Sequence, residues 1–218
     1  GLFGMAHGLT IGPDDIMYIV DCDHHTVRKF APDGELLLTL GTEDQASPDG
    51  RPFNKPTDLA LGPAGEVYVS DGYGASRMHK FSPEGELLLS WGAEGEGPGQ
   101  FNMPHGVHVD ERGQVFVADR ENNRIQVFTP DGDFISELTG FAQPCNLVMA
   151  QDAVYVAELG HRLSILDRDW QVLAQWDGEA DETKGLFIAP HDVAMDSHGN
   201  LYVTEVLEGS RVQKFLRC

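Results

Sequence analysis

Positive charge is scarce in this 218-residue chain: 15 Lys and Arg stand against 35 Asp and Glu, a formal net charge of −20 at pH 7. A field of that sign repels phosphate backbones, and no basic cluster overrides it, so nucleic-acid binding is not expected. Cysteine is scarcer still. Cys22, Cys145 and Cys218 are odd in number and out of metal-ligand spacing, which argues against a disulfide framework or a cysteine-rich zinc module and says little about compartment. No apolar run approaches the roughly 20 residues of a membrane helix, and the first residues form neither a basic region nor an apolar signal core. A soluble chain without a membrane partner is expected. Helical periodicity is missing throughout.

What the chain has in abundance is self-similarity. Hydrophobic residues make up 41% of it, enough for a real core, and its halves do not differ in composition, so one domain over residues 1–218 is expected. Short segments AHGLTIG, KPTDLALG, MPHGVHVD, QPCNLVMA and APHDVAMD each open a unit. A turn, such as GPAGE, DERGQ or DSHGN, and a second strand follow: IMYIVD, EVYVSD, QVFVAD, AVYVAE and LYVTE, with the alternation of half-buried strands. A loop, a third strand such as RMHKF or RIQVF, and in three units a P-D-G or P-E-G turn into a fourth strand complete the pattern. The repeats span approximately 1–41, 53–92, 101–140, 141–178 and 186–218. Four antiparallel strands at this period describe a β-propeller blade, so the fold class is all-β. The fifth unit stops after its third strand and little precedes the first. The expectation is therefore five blades of a six-bladed propeller lacking one, with a closed five-bladed ring as the alternative.

Two positions recur within the units. Arg77, Arg124, Arg162 and Arg211 each fall four residues before the last aromatic or Leu of the third strand. They are expected to pair with the acids that end the second strands, Asp71, Asp119, Glu158 and Glu205. More telling is the inner strand, where units one, three and five carry His7, His105 and His191 and units two and four carry Thr57 and Cys145. Alternate blades of a six-bladed ring sit about 120 degrees apart, so three imidazoles at one height would converge on the axis. That is the geometry of a three-histidine zinc site with one open position. His24, His25, His79, His108, His161 and His198 show no such phase and are read as surface or packing residues.

Loops between second and third strands lie on the histidine face. There Tyr73, in SDGYGASR, and Arg120, in ADRENNR, are not repeated at their phase. A tyrosine beside a cation can act as a general base, and an arginine can hold a carboxylate or an oxyanion. Position alone fits equally a rim aromatic and a loop salt bridge.

The motif D-x(4-6)-[RT]-[VIML]-x-x-[FL] resembles the NHL repeat over essentially the whole chain. PTDLALGPAGEVYVSDGYGASR, GQFNMPHGVHV, VADRENNRIQVF and APHDVAMDSHGNLYV together resemble the peptidyl-alpha-hydroxyglycine alpha-amidating lyase family. The resemblance implies a zinc ion on His7, His105 and His191, Tyr73 as catalytic base and Arg120 in the active site. It also implies a structural calcium held by the Asp192 carboxylate and the Leu9 carbonyl. The implied reaction cleaves an N-acyl or peptidyl alpha-hydroxyglycine, as a small-molecule or peptide substrate, into an amide and glyoxylate. A further active-site arginine and a calcium-ligand carbonyl of the family fall before the matched region. Ala189 stands where the animal enzymes have Met, and Gly74 replaces a cysteine of their disulfide framework. These departures imply a microbial relative. The alternative is a non-catalytic NHL scaffold that binds a protein or small ligand; a carboxylate-lined hydrolytic propeller fits less well, because the axial positions are mainly histidine.

Overall fold

Alternating apolar residues build strands, and glycine at positive φ turns them back on themselves. Gly34 (φ 89°) and Gly85 (φ 94°), for example, close the turns in which the N–H of Ala31 and of Ser82 reach the carbonyls of Glu35 and Glu86. A computed structural model describes residues 1–47, 52–150, 153–178 and 187–217. Cys218 and residue 186, where the fifth repeat is expected to begin, lie outside them.

The first sheet holds β1 (Ala6–Ile11), β2 (Met17–Asp21), β3 (Thr26–Phe30) and β4 (Leu36–Gly41). The second holds β5 (Asp58–Leu61), β6 (Val67–Asp71), β7 (Arg77–Phe81) and β8 (Leu87–Trp91), and the third β9 (Pro104–Val109), β10 (Val115–Asp119), β11 (Arg124–Phe128) and β12 (Phe134–Leu138). In the fourth are β13 (Pro144–Met149), β14 (Val154–Glu158), β15 (Arg162–Leu166) and β16 (Val172–Asp177); the fifth has β17 (Pro190–Met195), β18 (Leu201–Glu205) and β19 (Val212–Phe215). Strands follow chain order within every sheet, and every register that the structure defines is antiparallel. This is an all-β, five-bladed β-propeller chain. Five blades match the alternative arrangement; no sixth sheet occurs among the described residues. The chain divides into two compact units, Gly1–Val117 with Gln126–Glu137 and Ala118–Ile125 with Leu138–Cys218.

Within the first unit, the second sheet shows why β6 is buried along its whole length rather than on one face. Val67 and Val69 pack with Tyr18, Val20 and Val27 of the first sheet, whereas Tyr68, between them, packs with Val115, Val117 and Phe128. Alternate residues thus enter two different cores, because a blade has a neighbour on each side. Each fully buried aromatic, such as Phe53 or Phe101, contributes roughly 1.5 to 3 kcal/mol. In the second unit, Leu163, Phe187, Val193 and Val203 form a like core between the fourth and fifth sheets.

The acid that ends each second strand is buried, at 4% exposure or less, and each accepts hydrogen bonds, although Oδ1 of Asp71 finds no partner among the described residues. Asp119 takes Arg124 Nε at 2.8 Å, Glu158 takes Arg162 Nε at 3.0 Å, and Glu205 takes Arg211 Nε at 2.6 Å. Asp71 differs from expectation: its Oδ2 meets His79 Nε2 at 3.3 Å and the Asn54 N–H at 2.7 Å, so the second blade uses a histidine two residues beyond Arg77. Asp21 accepts the N–H groups of Gly4, Met5 and His24. Burial alone would raise its pKa, yet these three donors hold it below the usual carboxylate range. Glu205 is likewise lowered: burial works against the charge, but Arg211, the Ile188 N–H and Gln213 outweigh it.

The same carboxylates reach the segment that leads into the inner strand: Gly4 and Met5 before β1, Asn54 before β5, Ala142 before β13 and Ile188 before β17. The inner strands β1, β5, β13 and β17 are therefore clamped just ahead of their first residues. Arg124→Ala removes the guanidinium from a buried pair and is expected to destabilise the chain by about 3 to 5 kcal/mol, whereas Arg77→Ala, with Asp71 already held, is expected to change stability by under about 1 kcal/mol. Urea unfolding of the two variants checks this; equal losses would restore the uniform arginine rule.

Candidate functional site

The carboxylate clamp ahead of β1 fixes His7, the second residue of that strand, and His105 is the second residue of β9. Their rings meet in the first unit, with centroids 5.0 Å apart. Tyr73 completes the group. Its hydroxyl lies 3.0 Å from His7 Nε2 and 3.2 Å from His105 Nε2, and its ring meets both imidazoles edge to face. His105 is buried, and His7 and Tyr73 are half-buried, so the cluster is held by protein while keeping access to water.

The tautomer of His7 follows from its second contact. Nδ1 lies 2.6 Å from the Thr57 carbonyl, which can only accept, so Nδ1 carries the proton and Nε2 of the neutral ring presents its lone pair. Tyr73, with one hydroxyl proton, then donates to His7 Nε2 and accepts from His105 Nε2. The Thr57 carbonyl carried no signal in the sequence, because any residue supplies a main-chain oxygen.

Tyr73 is placed by its turn. Its N–H reaches the Lys55 carbonyl at 3.3 Å, and the next carbonyl, that of Gly74, accepts Asn54 Nδ2 at 2.9 Å. Gly72, just before it, is required by space: a Cβ there would lie 2.1 Å from the Pro104 carbonyl oxygen. The backbone of the Tyr73 turn thus rests directly on the residue preceding His105.

His191, Asp192 and Arg120 belong to the second unit. His191 is the second residue of β17, half-buried, and sits in a register shift between Pro190 and Asp192. A shift at the same place holds His7 in β1 and Cys145 in β13. Such bulges re-aim one side chain off the alternating pattern. Asp192 accepts Asn146 Nδ2 at 2.6 Å and the Val193 N–H at 2.7 Å, yet burial dominates and pushes its pKa up. Arg120 opens a short 3-10 turn, Arg120–Asn122, and its Nε holds Glu121 Oε1 at 2.9 Å, which in turn is tied through Oε2 to Gln143. Leu9 lies on β1 opposite Ile19 with its side chain exposed. Of the other histidines, His79 is fully buried against Phe53 and Phe81, a packing residue as expected.

The NHL repeat family matches residues 53–81, 101–128 and 187–215. The chain is thus an NHL-repeat β-propeller. It is homologous to the peptidyl-alpha-hydroxyglycine alpha-amidating lyases: peptidyl-alpha-hydroxyglycine alpha-amidating lyase 1 of Drosophila melanogaster is 34% identical over 248 residues, covering 98% of this chain and 45% of that protein. Peptidyl-glycine alpha-amidating monooxygenase B of Xenopus laevis is 41% identical over 145 residues, covering 63% of this chain and 17% of its own length. The chain therefore spans less than half the length of either. A solved streptogramin B lyase superposes with a TM-score of 0.69 at 15% identity, covering 97% of this chain and 68% of that one, a likeness of fold.

Gly72→Ala is expected to destabilise the chain by about 1 to 3 kcal/mol through overpacking against the Pro104 carbonyl. Thermal and urea unfolding of the variant test this, and a neutral result would show that the turn can retreat.

Proposed function

We propose that this chain is a zinc-dependent lyase that cleaves an N-acyl or peptidyl alpha-hydroxyglycine to the amide and glyoxylate, a carbon-nitrogen lyase activity. Homology to the amidating lyases supports a lyase function in general. The finer reading is carried by one observation: two imidazole Nε2 atoms converge on a single tyrosine hydroxyl. Zinc takes neutral imidazole nitrogens, and a histidine ligand ordinarily donates its other ring N–H to a carbonyl or carboxylate. His7 already has that form, so its chemistry fits the ion. With His191 at the same strand position, the three histidines make a candidate ligand set.

Bound there, zinc would supply Lewis acidity toward the substrate hydroxyl. Tyr73, which would give up its hydroxyl proton once its bond to His7 is replaced, would take the substrate hydroxyl proton as a phenolate and return it to the departing amide nitrogen as the C–N bond breaks and the carbonyl of glyoxylate forms. Atoms and electrons balance without an oxidant or reductant. Arg120 offers the planar pair of donors that a substrate carboxylate fits. A small molecule or a peptide would serve as substrate, and the strongly negative chain has no use for nucleic acid.

For calcium we propose the Asp192 carboxylate and the Leu9 carbonyl, both hard oxygen donors. The raised pKa of Asp192 supports this, since a carboxylate held against burial is one that a cation would recharge.

Plasma mass spectrometry is expected to find about one zinc per chain, lost in His105→Ala, and Tyr73→Phe is expected to slow glyoxylate release about 10²- to 10⁴-fold with zinc retained. A folded wild-type chain without zinc or glyoxylate release would sink the lyase reading and leave the binding scaffold. Chelation of calcium at about a hundred times its Kd is expected to lower the thermal midpoint by roughly 5 to 10 °C, and Asp192→Asn to abolish that difference. A midpoint indifferent to chelator in the wild type would remove the calcium site.

A further inference from the structure

The second blade lacks an imidazole at its inner position, yet β5 packs against both β1 and β9, the strands that carry His7 and His105. Thr57 and Ser70, both fully buried, lie between them. We propose that Thr57 and Ser70 form a hydroxyl clamp that positions His7 and His105 relative to each other and to Tyr73.

The contacts run to both histidines. The Thr57 carbonyl takes the His7 Nδ1 proton at 2.6 Å. Thr57 Oγ1 lies 3.1 Å from the Pro104 carbonyl and 2.9 Å from Ser70 Oγ. Ser70 Oγ lies 2.8 Å from the carbonyl of His105 itself and accepts the Asp58 N–H at 3.1 Å. Each hydroxyl thus lies within hydrogen-bond reach of a carbonyl that flanks the His105 Cα, as well as of a carbonyl within the second blade, Ser70 for Thr57 and Asp58 for Ser70, and Asp58 Oδ2 takes the Val107 N–H at 3.1 Å just beyond. The main chain of His105 is gripped on both sides of its side chain, and the main-chain carbonyl of Thr57 holds the His7 ring.

The repeat does not require these hydroxyls. Where the second blade has Ser70, the first, third and fourth have Val20, Ala118 and Ala157, and the fifth has Thr204. Where it has Thr57, no other blade has a hydroxyl at all. A departure from the repeat that is buried and directed at two inner-strand carbonyls is explained by what lies next to those carbonyls. Thr57 and Ser70 touch no reacting atom; they act through the histidines.

The metal-binding consequence rests on the zinc reading above, so the test separates the two. Thr57→Val, Ser70→Ala and Thr57→Ser are compared with wild type by unfolding, by nitrogen-15 NMR of the histidine rings in metal-free protein, and by cobalt titration followed in visible absorption. Thr57→Val and Ser70→Ala are expected to remain folded, to shift the His105 ring signals while the Thr57 carbonyl keeps the His7 tautomer, and to bind cobalt about 10- to 100-fold more weakly. Thr57→Ser, which keeps the hydroxyl, is expected to restore both. Cobalt affinity and ring signals unchanged in Val and Ala variants would overturn the clamp and leave the zinc reading intact. Should wild type bind no cobalt, the zinc reading falls and the ring signals alone decide: altered in both variants, they support the clamp; unaltered, they overturn it. Should Thr57→Val unfold, Ser70→Ala and the Thr57→Ser rescue decide by the same criteria.

Discussion

Everything in this molecule that bears chemistry hangs on a buried carboxylate. Asp21, Asp71, Asp119, Glu158 and Glu205 end the second strands at almost no exposure, and an ionised group in that setting must be surrounded by donors. The donors come from two directions. Side chains of the third strand supply one set, and N–H groups ahead of the inner strand supply the other. A single negative charge thereby joins three segments of a blade and fixes where its inner strand begins. Where His7 and His191 begin their strands is a by-product of satisfying that charge.

Much of the architecture was legible because it repeats. Five copies of one strand pattern announced the blades, and three of four arginines met the acids assigned to them. The exception shows the limit of repeat logic: His79 reads as one more histidine out of phase, but the carboxylate needs only a buried donor at the right height, and an imidazole serves where a guanidinium does elsewhere. The alternation of the middle strands suggested one wet face. In β6 and β10 both faces are dry, because sequence pattern reports polarity and not the number of neighbours, whereas β18 keeps the alternation.

The cluster was legible in part. The shared phase of the histidines and the unrepeated Tyr73 could be read directly, and the structure brings Tyr73, His7 and His105 to one point. What the string could not carry were the groups common to every residue: the Thr57 carbonyl that sets a tautomer, and the register shifts that turn His7 and His191 out of the alternating pattern. Hydroxyl pairs are nearly as silent, since Ser and Thr are unremarkable in any strand until the distance to a neighbouring blade is known.

The turn that presents Tyr73 is tied by Asn54 Nδ2 to the Gly74 carbonyl, a non-covalent tie. Among the described residues the cysteines, Cys22 and Cys145, are buried and in no disulfide, and burial pushes both thiols up to about 12, far from the reactive thiolate. The tie that places the tyrosine runs between an amide and a carbonyl, groups that neither reductants nor mild oxidants alter.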